Sequence, residues 1–215
     1  MNGLFVSIGA GPGIGGSTAS RFAREGFDLA LAARDVSKLE PSAQKIRKET
    51  GQHIETVALD ATDFSAVQQF SVRFGPAVSI LHYNAAAIQK LDVLEASVET
   101  TQRNLSVDIL GALAAIKYFV PYMEQRRKGT ILLTGGGLAL APSAEYLSLS
   151  IGKAGIRCLA QALFPQLSAK GIYIATVTVT MMVNPGSEQA TAAAEAFWDL
   201  HAEPKGRWTW EATLK

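Results

Sequence analysis

Residues 4–25 read LFVSIGAGPGIGGSTASRFARE, and this stretch decides the fold. LFVSIGA is rich in β-branched and apolar residues, and the run from Ile14 onward carries helical spacing. Between them lies GAGPGIGG, Gly9 to Gly16, a glycine turn joining a strand to a helix. Glycines there permit positive φ and let backbone N–H groups approach a phosphate, which then sits on the helix N-terminus. The same residues would also serve a glycine turn that binds nothing.

The rest of the chain repeats this alternation. Strand patterns fall at 4–10, 28–33, 54–59, 78–84, 129–135 and 172–179, several of them apolar at nearly every position. Such runs suit strands covered on both faces. Helical patterns fall between them at about 14–25, 37–50, 64–74, 95–125 and 144–169, and Pro121 is expected to kink or end the fourth. Strand–helix alternation implies a parallel sheet with helices on both faces, hence one doubly wound α/β domain over residues 1–215. Ligands then bind at the carboxyl ends of the strands, near the switch point of strand order.

Composition narrows the function classes. Of 215 residues, 48% are hydrophobic and 18% charged, as in a packed globule. The net charge of +1 and a single basic cluster, Arg126-Arg127-Lys128, argue against nucleic acid as a partner, and that cluster reads as a solvated turn. The lone Cys158 excludes an internal disulfide and is expected to pack as a small hydrophobe in its helix. No basic n-region precedes the first strand and no apolar run is long enough for a bilayer, so the expectation is a cytoplasmic protein without a membrane partner. His53, His82 and His201 are scattered and read as structural, leaving no metal set.

The strand ends carry the candidate site. The second strand ends at Arg34, which suits a ribose 2′-phosphate, whereas an NAD-type site would place a carboxylate there. NADP is therefore expected over NAD, although Arg34 would also pass as an ordinary exposed residue. Asp35, or Ser37 in a capping box with Glu40, is read as the cap of the next helix. Asp60, in LDATD, can accept from an adenine amino group, and Asp63 looks like an N-cap. Asn84, followed by Ala85 and Ala86, leaves room for a flat ring against the backbone.

Gly9, Gly13 and Gly15, the Asp60 turn, Asn84-Ala85-Ala86 and Lys153 together resemble the short-chain dehydrogenase/reductase family, from the first strand to about residue 179. The segment AFWDLHAEPKGRWTWE looks like the closing helix and seventh strand of compact members. The resemblance implies a Rossmann fold of strand order 3-2-1-4-5-6-7, a nicotinamide cofactor and a small-molecule substrate. It assigns Gly9, Gly11, Pro12, Gly13, Ile14 and Gly15 to the pyrophosphate and Asp60 and Ala61 to the adenine. Asn84, Ala85 and Ala86 go to the neighbouring ribose, and Lys153 to the nicotinamide ribose. It also suggests a homodimer or homotetramer built on the two long apolar helices.

The chemical half departs from the family. Where it has a catalytic Tyr four residues before the Lys, this chain has Leu149; Gly136 stands at the Ser position and Asp108 at the relay Asn. Three readings follow. The first is an NADP-dependent oxidoreductase acting on a carbonyl, imine or alkene, with Tyr146 as a substitute donor if the helix starts early enough to put Tyr146, Leu149 and Lys153 on one face. Asp108 is then expected to pair with the Lys153 ammonium, directly or through one water. The second is a pseudo-enzyme that binds NADP(H) as a sensor or scaffold. The third, ranked last, is a non-redox lyase or isomerase.

Overall fold

The computed structural model describes residues 3–92 and 94–215. Seven strands, β1 (Leu4–Ile8), β2 (Asp28–Ala33), β3 (Ile54–Ala58), β4 (Val78–Tyr83), β5 (Gly129–Thr134), β6 (Ile172–Val179) and β7 (Glu211–Leu214), form one sheet. Its order is β3-β2-β1-β4-β5-β6-β7 and every pairing is parallel. The doubly wound fold, its strand order and the seventh strand are as expected.

Two helical layers cover the sheet. Helices α1 (Ile14–Arg24), α2 (Glu40–Thr50) and α7 (Glu188–Ala202) bury Phe22, Ile46 and Phe197 against one face. On the other face, α3 (Phe64–Phe74), α5 (Gly111–Arg126) and α6 (Leu147–Ala169) bury Phe70, Phe119 and Ile156. Strand residues feed the two layers alternately: Ile172 and Ile174 face the second core, Tyr173 and Ala175 the first. Burial at this level stabilises by about 1.5–3 kcal/mol for each large apolar side chain.

Several sequence expectations need correction. The 95–125 helix begins at α4 (Val98–Leu105), passes through a π-turn at Ser106–Leu110 and continues as α5. Pro121 lies inside α5, which runs on to Arg126, so the proline does not end the helix. This Val98–Arg126 run is long and apolar enough to cross a membrane by length and composition alone, contrary to the sequence reading. Its buried residues, Ala112, Ala115, Ile116, Phe119 and Met123, pack in the sheet core. The proposed Ser37–Glu40 capping box does not form. Ser37 donates instead to Asp35, which caps the short turn Val36–Lys38, and Glu40 engages Arg47 and Thr56. Cys158 is exposed rather than packed. Asp63 does cap α3, accepting from Ala66 N–H at 3.0 Å.

Candidate functional site

The strand order reverses between β1 and β4, and the turns leaving these two strands interlock. Gly9 has φ +87, and a Cβ there would lie 2.3 Å from the Ala85 amide nitrogen, so only glycine fits. Asn84 donates its side-chain amide to the Gly9 carbonyl at 2.7 Å, and the Asn84 backbone N–H reaches the Ile8 carbonyl at 2.8 Å. Gly15 is equally constrained, since a Cβ would stand 2.8 Å from the Gly9 carbonyl oxygen. Gly11 and Gly13 differ: a Cβ on either would point into open space. Gly13 is also the N-cap of α1 and supplies no side-chain bond, and the first turn holds no carboxylate. The positive end of α1 therefore lies at an open, glycine-lined turn.

Around this cradle stand the other strand ends. Arg34 is exposed at the end of β2, near enough to Asp60 to help hold its carboxyl below the usual range. The leading cause of that shift is the Asp60 carboxylate accepting from Thr62 N–H at 2.9 Å, with the Thr62 hydroxyl adding a second bond. Ala61 is buried against Gly111, beside the Tyr83 hydroxyl. Arg103 on α4 approaches Asp60 at 3.7 Å and helps to line a cavity of about 430 Å³ with Thr62, Thr100 and Ser106. The sequence reading missed Arg103, because nothing in the α4 pattern marks which residue leans back over the end of β3.

The chemical positions cluster at β5 and α6. Lys153 turns its ammonium inward to donate to the Thr134 carbonyl at 2.8 Å. Its stem passes Gly136 so closely that a Cβ there would lie 3.2 Å from Lys153 Cγ. The lysine therefore leans into the space a serine side chain would use. Asp108, 2% exposed at the centre of the π-turn, accepts from Ala87 N–H at 2.7 Å through Oδ1, while Oδ2 is buried without a protein partner. Its carboxyl rests against Gly152, where any Cβ would meet Asp108 Oδ2 at 2.7 Å. Burial pushes Asp108 up to about 6 and Lys153 down to about 8, and the attraction between them opposes both shifts. Of the pairing expected from the sequence, directly or through one water, the direct form is absent, and the Lys153 ammonium donates to the Thr134 carbonyl.

Below this site a buried polar chain crosses the sheet. Ser7, His82 and Thr134 are linked at 3.1 Å and 3.1 Å. Burial holds His82 down to about 3, so it is neutral, and it is structural as expected. His201 likewise bonds Thr130, and His53 is exposed at the start of β3.

A short chain dehydrogenase family profile matches residues 5–195, spanning the glycine turn, the Asp60 and Asn84 turns and Lys153. The chain belongs to the short-chain dehydrogenase family. Among its relatives is a 3-dehydrosphinganine reductase of Arabidopsis thaliana, 28% identical over 184 residues that cover 84% of this chain. The chain spans only 56% of that relative's length. A short-chain dehydrogenase from Rhodopseudomonas palustris superposes with a TM-score of 0.90 at 26% identity, covering 100% of this chain and 99% of that one. A second, from Sphingobium yanoikuyae in complex with NADPH, superposes with a TM-score of 0.85 at 25% identity over 98% of this chain and 87% of that one.

In this member of the family, Leu149 is buried on α6 one turn before Lys153 and offers no hydroxyl. The helical register on which the Tyr146 reading depends does not form. The helix starts at Leu147, and Tyr146, at φ −127 and ψ 36, is its N-cap. Its carbonyl accepts from Ser150 N–H at 2.8 Å, and its backbone bridges Leu91 on the segment after β4. The one-face spacing read from the sequence required helix at Tyr146, and the chain is not helical there.

Proposed function

We propose that the chain binds NADP(H) across the ends of β1, β2 and β4 and serves as an oxidoreductase on a small carbonyl, imine or alkene substrate. The observation that carries this is the N-terminus of α1, which has no side-chain cap, beneath the open glycines Gly11 and Gly13, with Arg34 at the next strand end. The residues present fit the cofactor: the cradle and helix end suit a pyrophosphate, Arg34 a 2′-phosphate, Asp60 and Ala61 an adenine edge, and Asn84, Ala85 and Ala86 a ribose. The bound nicotinamide supplies the hydride. Lys153, at about 8 and lying against Gly136, is the protonated group nearest the place of the missing serine, and it can both hold the ribose and yield a proton.

Titration with NADPH and NADH tests the cofactor. The Arg34 contact is worth about 1.5–3 kcal/mol, so NADPH should bind about tenfold to a hundredfold more tightly, and Arg34→Ala should abolish the difference. Equal dissociation constants in the wild type would refute the Arg34 assignment.

A second reading has its own support. Leu149 puts a buried hydrocarbon where a phenol would act, and the Lys153 ammonium is engaged by Thr134. Those two features favour a protein that holds NADP(H) as a sensor or scaffold. Tight NADPH binding without consumption over a panel of ketones, cyclic imines and enones would decide for it.

We further propose a homo-oligomer formed through α5 and α6. Leu113 and Ile151 are 42% and 43% exposed on these helices.

A further inference from the structure

Nine large apolar side chains are exposed among the described residues, and they are not spread evenly. Ile88 and Leu94 (77% and 93% exposed) lie on the segment after β4, Leu140 (52%) on the segment after β5, and Met182 (87%) on the segment after β6. These strands are neighbours in the sheet, so all three segments leave the same edge, above Gly136 and Lys153. They are also tied to one another. Leu91 N–H donates to the Glu145 carbonyl at 2.9 Å, and the Gly137 turn packs on Thr180 so tightly that a Cβ would lie 3.0 Å from Thr180 Cα. The segment after β6 alternates accordingly, with Met181 and Val183 packed on the core and Met182 turned out.

Charge on the same segments is one-sided. Residues 84–97, 135–146 and 180–187 contain one cation, Lys90, and it is paired with Glu145 at 2.7 Å. The remaining charges there, Asp92 and Glu95, are acidic. The rim therefore offers hydrocarbon and negative charge, and no free cation for a carboxylate, phosphate or thioester-linked nucleotide.

We propose that the substrate is an uncharged compound with a hydrocarbon body, whose reacting C=X group lies alongside Gly136 and Lys153 while its chain lies on Ile88, Leu140 and Met182. This rests on the reading of the cleft as an NADP(H) oxidoreductase site. Apolar side chains around the mouth gain by covering hydrocarbon and penalise an ion that must shed water there. A membrane surface is a poorer match, because the rim lacks the lysines and arginines that anionic headgroups attract.

The test compares 2-octanone with 7-oxooctanoate, which has the same methyl ketone and nearly the same length but carries a carboxylate. Both are titrated by ligand-observed NMR into the full chain, with and without saturating NADPH. The expected result is 2-octanone binding at least about tenfold more tightly than the oxo acid. In the double variant Leu140→Lys, Met182→Lys, both positions being exposed and outside the chemical site, the preference should shrink or invert. Equal binding of the two ligands by the wild type, or binding of neither, overturns the proposal. So does an unchanged preference in the double variant, or depletion of the protein by phosphatidylcholine vesicles with no ketone effect. Absence of NADPH binding would overturn the cofactor reading alone, since the ketone comparison in its absence still reports on the rim.

Discussion

At the scale of single residues, the site is a set of coupled substitutions. Lys153 passes close to Gly136, where no side chain stands, and donates to the Thr134 carbonyl one turn from the buried Leu149. A serine at 136 must displace the flexible lysine stem, which lies 3.2–3.4 Å from the new Cβ. Single reversions should therefore do little: Leu149→Tyr alone brings a phenol with no hydroxyl to orient the carbonyl. The triple change Leu149→Tyr, Gly136→Ser, Asp108→Asn should raise ketone-dependent NADPH oxidation by about 10²–10⁴-fold, the usual range for general acid catalysis. No gain in a folded, NADPH-binding triple variant would show that the missing side chains do not limit the rate. Asp108 also leaves a signature in stability. Its carboxyl is raised in the fold from 3.8 to about 6, so the folded state holds a proton that the unfolded state has released. Stability therefore falls as pH rises from about 4 to about 6, and the full desolvation cost persists above that. Lys153 does the reverse: lowered from 10.5 to about 8, it makes stability rise between those values. Asp108→Asn should remove the acid-side slope, a difference of about 1–3 kcal/mol between the ends of the window in urea melts. A slope that survives in the variant would mean that Asp108 is not the group responsible.

At the scale of elements, the strands were legible because a sheet covered on both faces needs near-continuous hydrophobic runs, and DLALAA and IYIATVTV coincide with β2 and β6. Helix starts were harder to read. Tyr146 is compatible with a helix by spacing, but its backbone is held by the Leu91 bridge, a contact between segments that no local pattern announces. The π-turn at Ser106–Leu110 was illegible for the same reason. It swings Asp108 inward to the Ala87 N–H and presents the Val107 carbonyl to the buried Tyr83 hydroxyl, so its cause lies in β4 and in the turn that follows it. That hydroxyl gives a clean probe. Tyr83→Phe keeps the ring and removes the donor to the Val107 carbonyl, a loss of about 0.5–1.5 kcal/mol in chemical denaturation. A loss below about 0.5 kcal/mol would show that water or a relaxed α-helical turn satisfies Val107 instead.

At the scale of the molecule, the glycine turn was readable and the arrangement around Lys153 was not, for one physical reason. Phosphate binding depends on backbone geometry, which forces glycine at positions such as Gly9 and Gly15 and so marks the sequence. Proton transfer depends on where a few side chains point, and the turn of Lys153 toward Thr134 leaves no trace in its neighbours. Assembly lies between these cases. Helices α5 and α6 cover one sheet face with Ala115, Phe119, Ile156 and Ala160, yet they also expose Leu113 and Ile151. The neighbouring π-turn leaves Leu110 44% exposed as well. The core needs none of the three, and apolar side chains on adjacent elements suit an isologous contact that buries them against their symmetry mates. The double variant Leu113→Glu, Ile151→Glu places like charges across any two-fold formed there. It should shift the protein from dimer or larger to monomer in light scattering at micromolar concentration, with the fold retained by circular dichroism. A wild type that is already monomeric, or a variant of unchanged mass, would remove α5 and α6 as the interface.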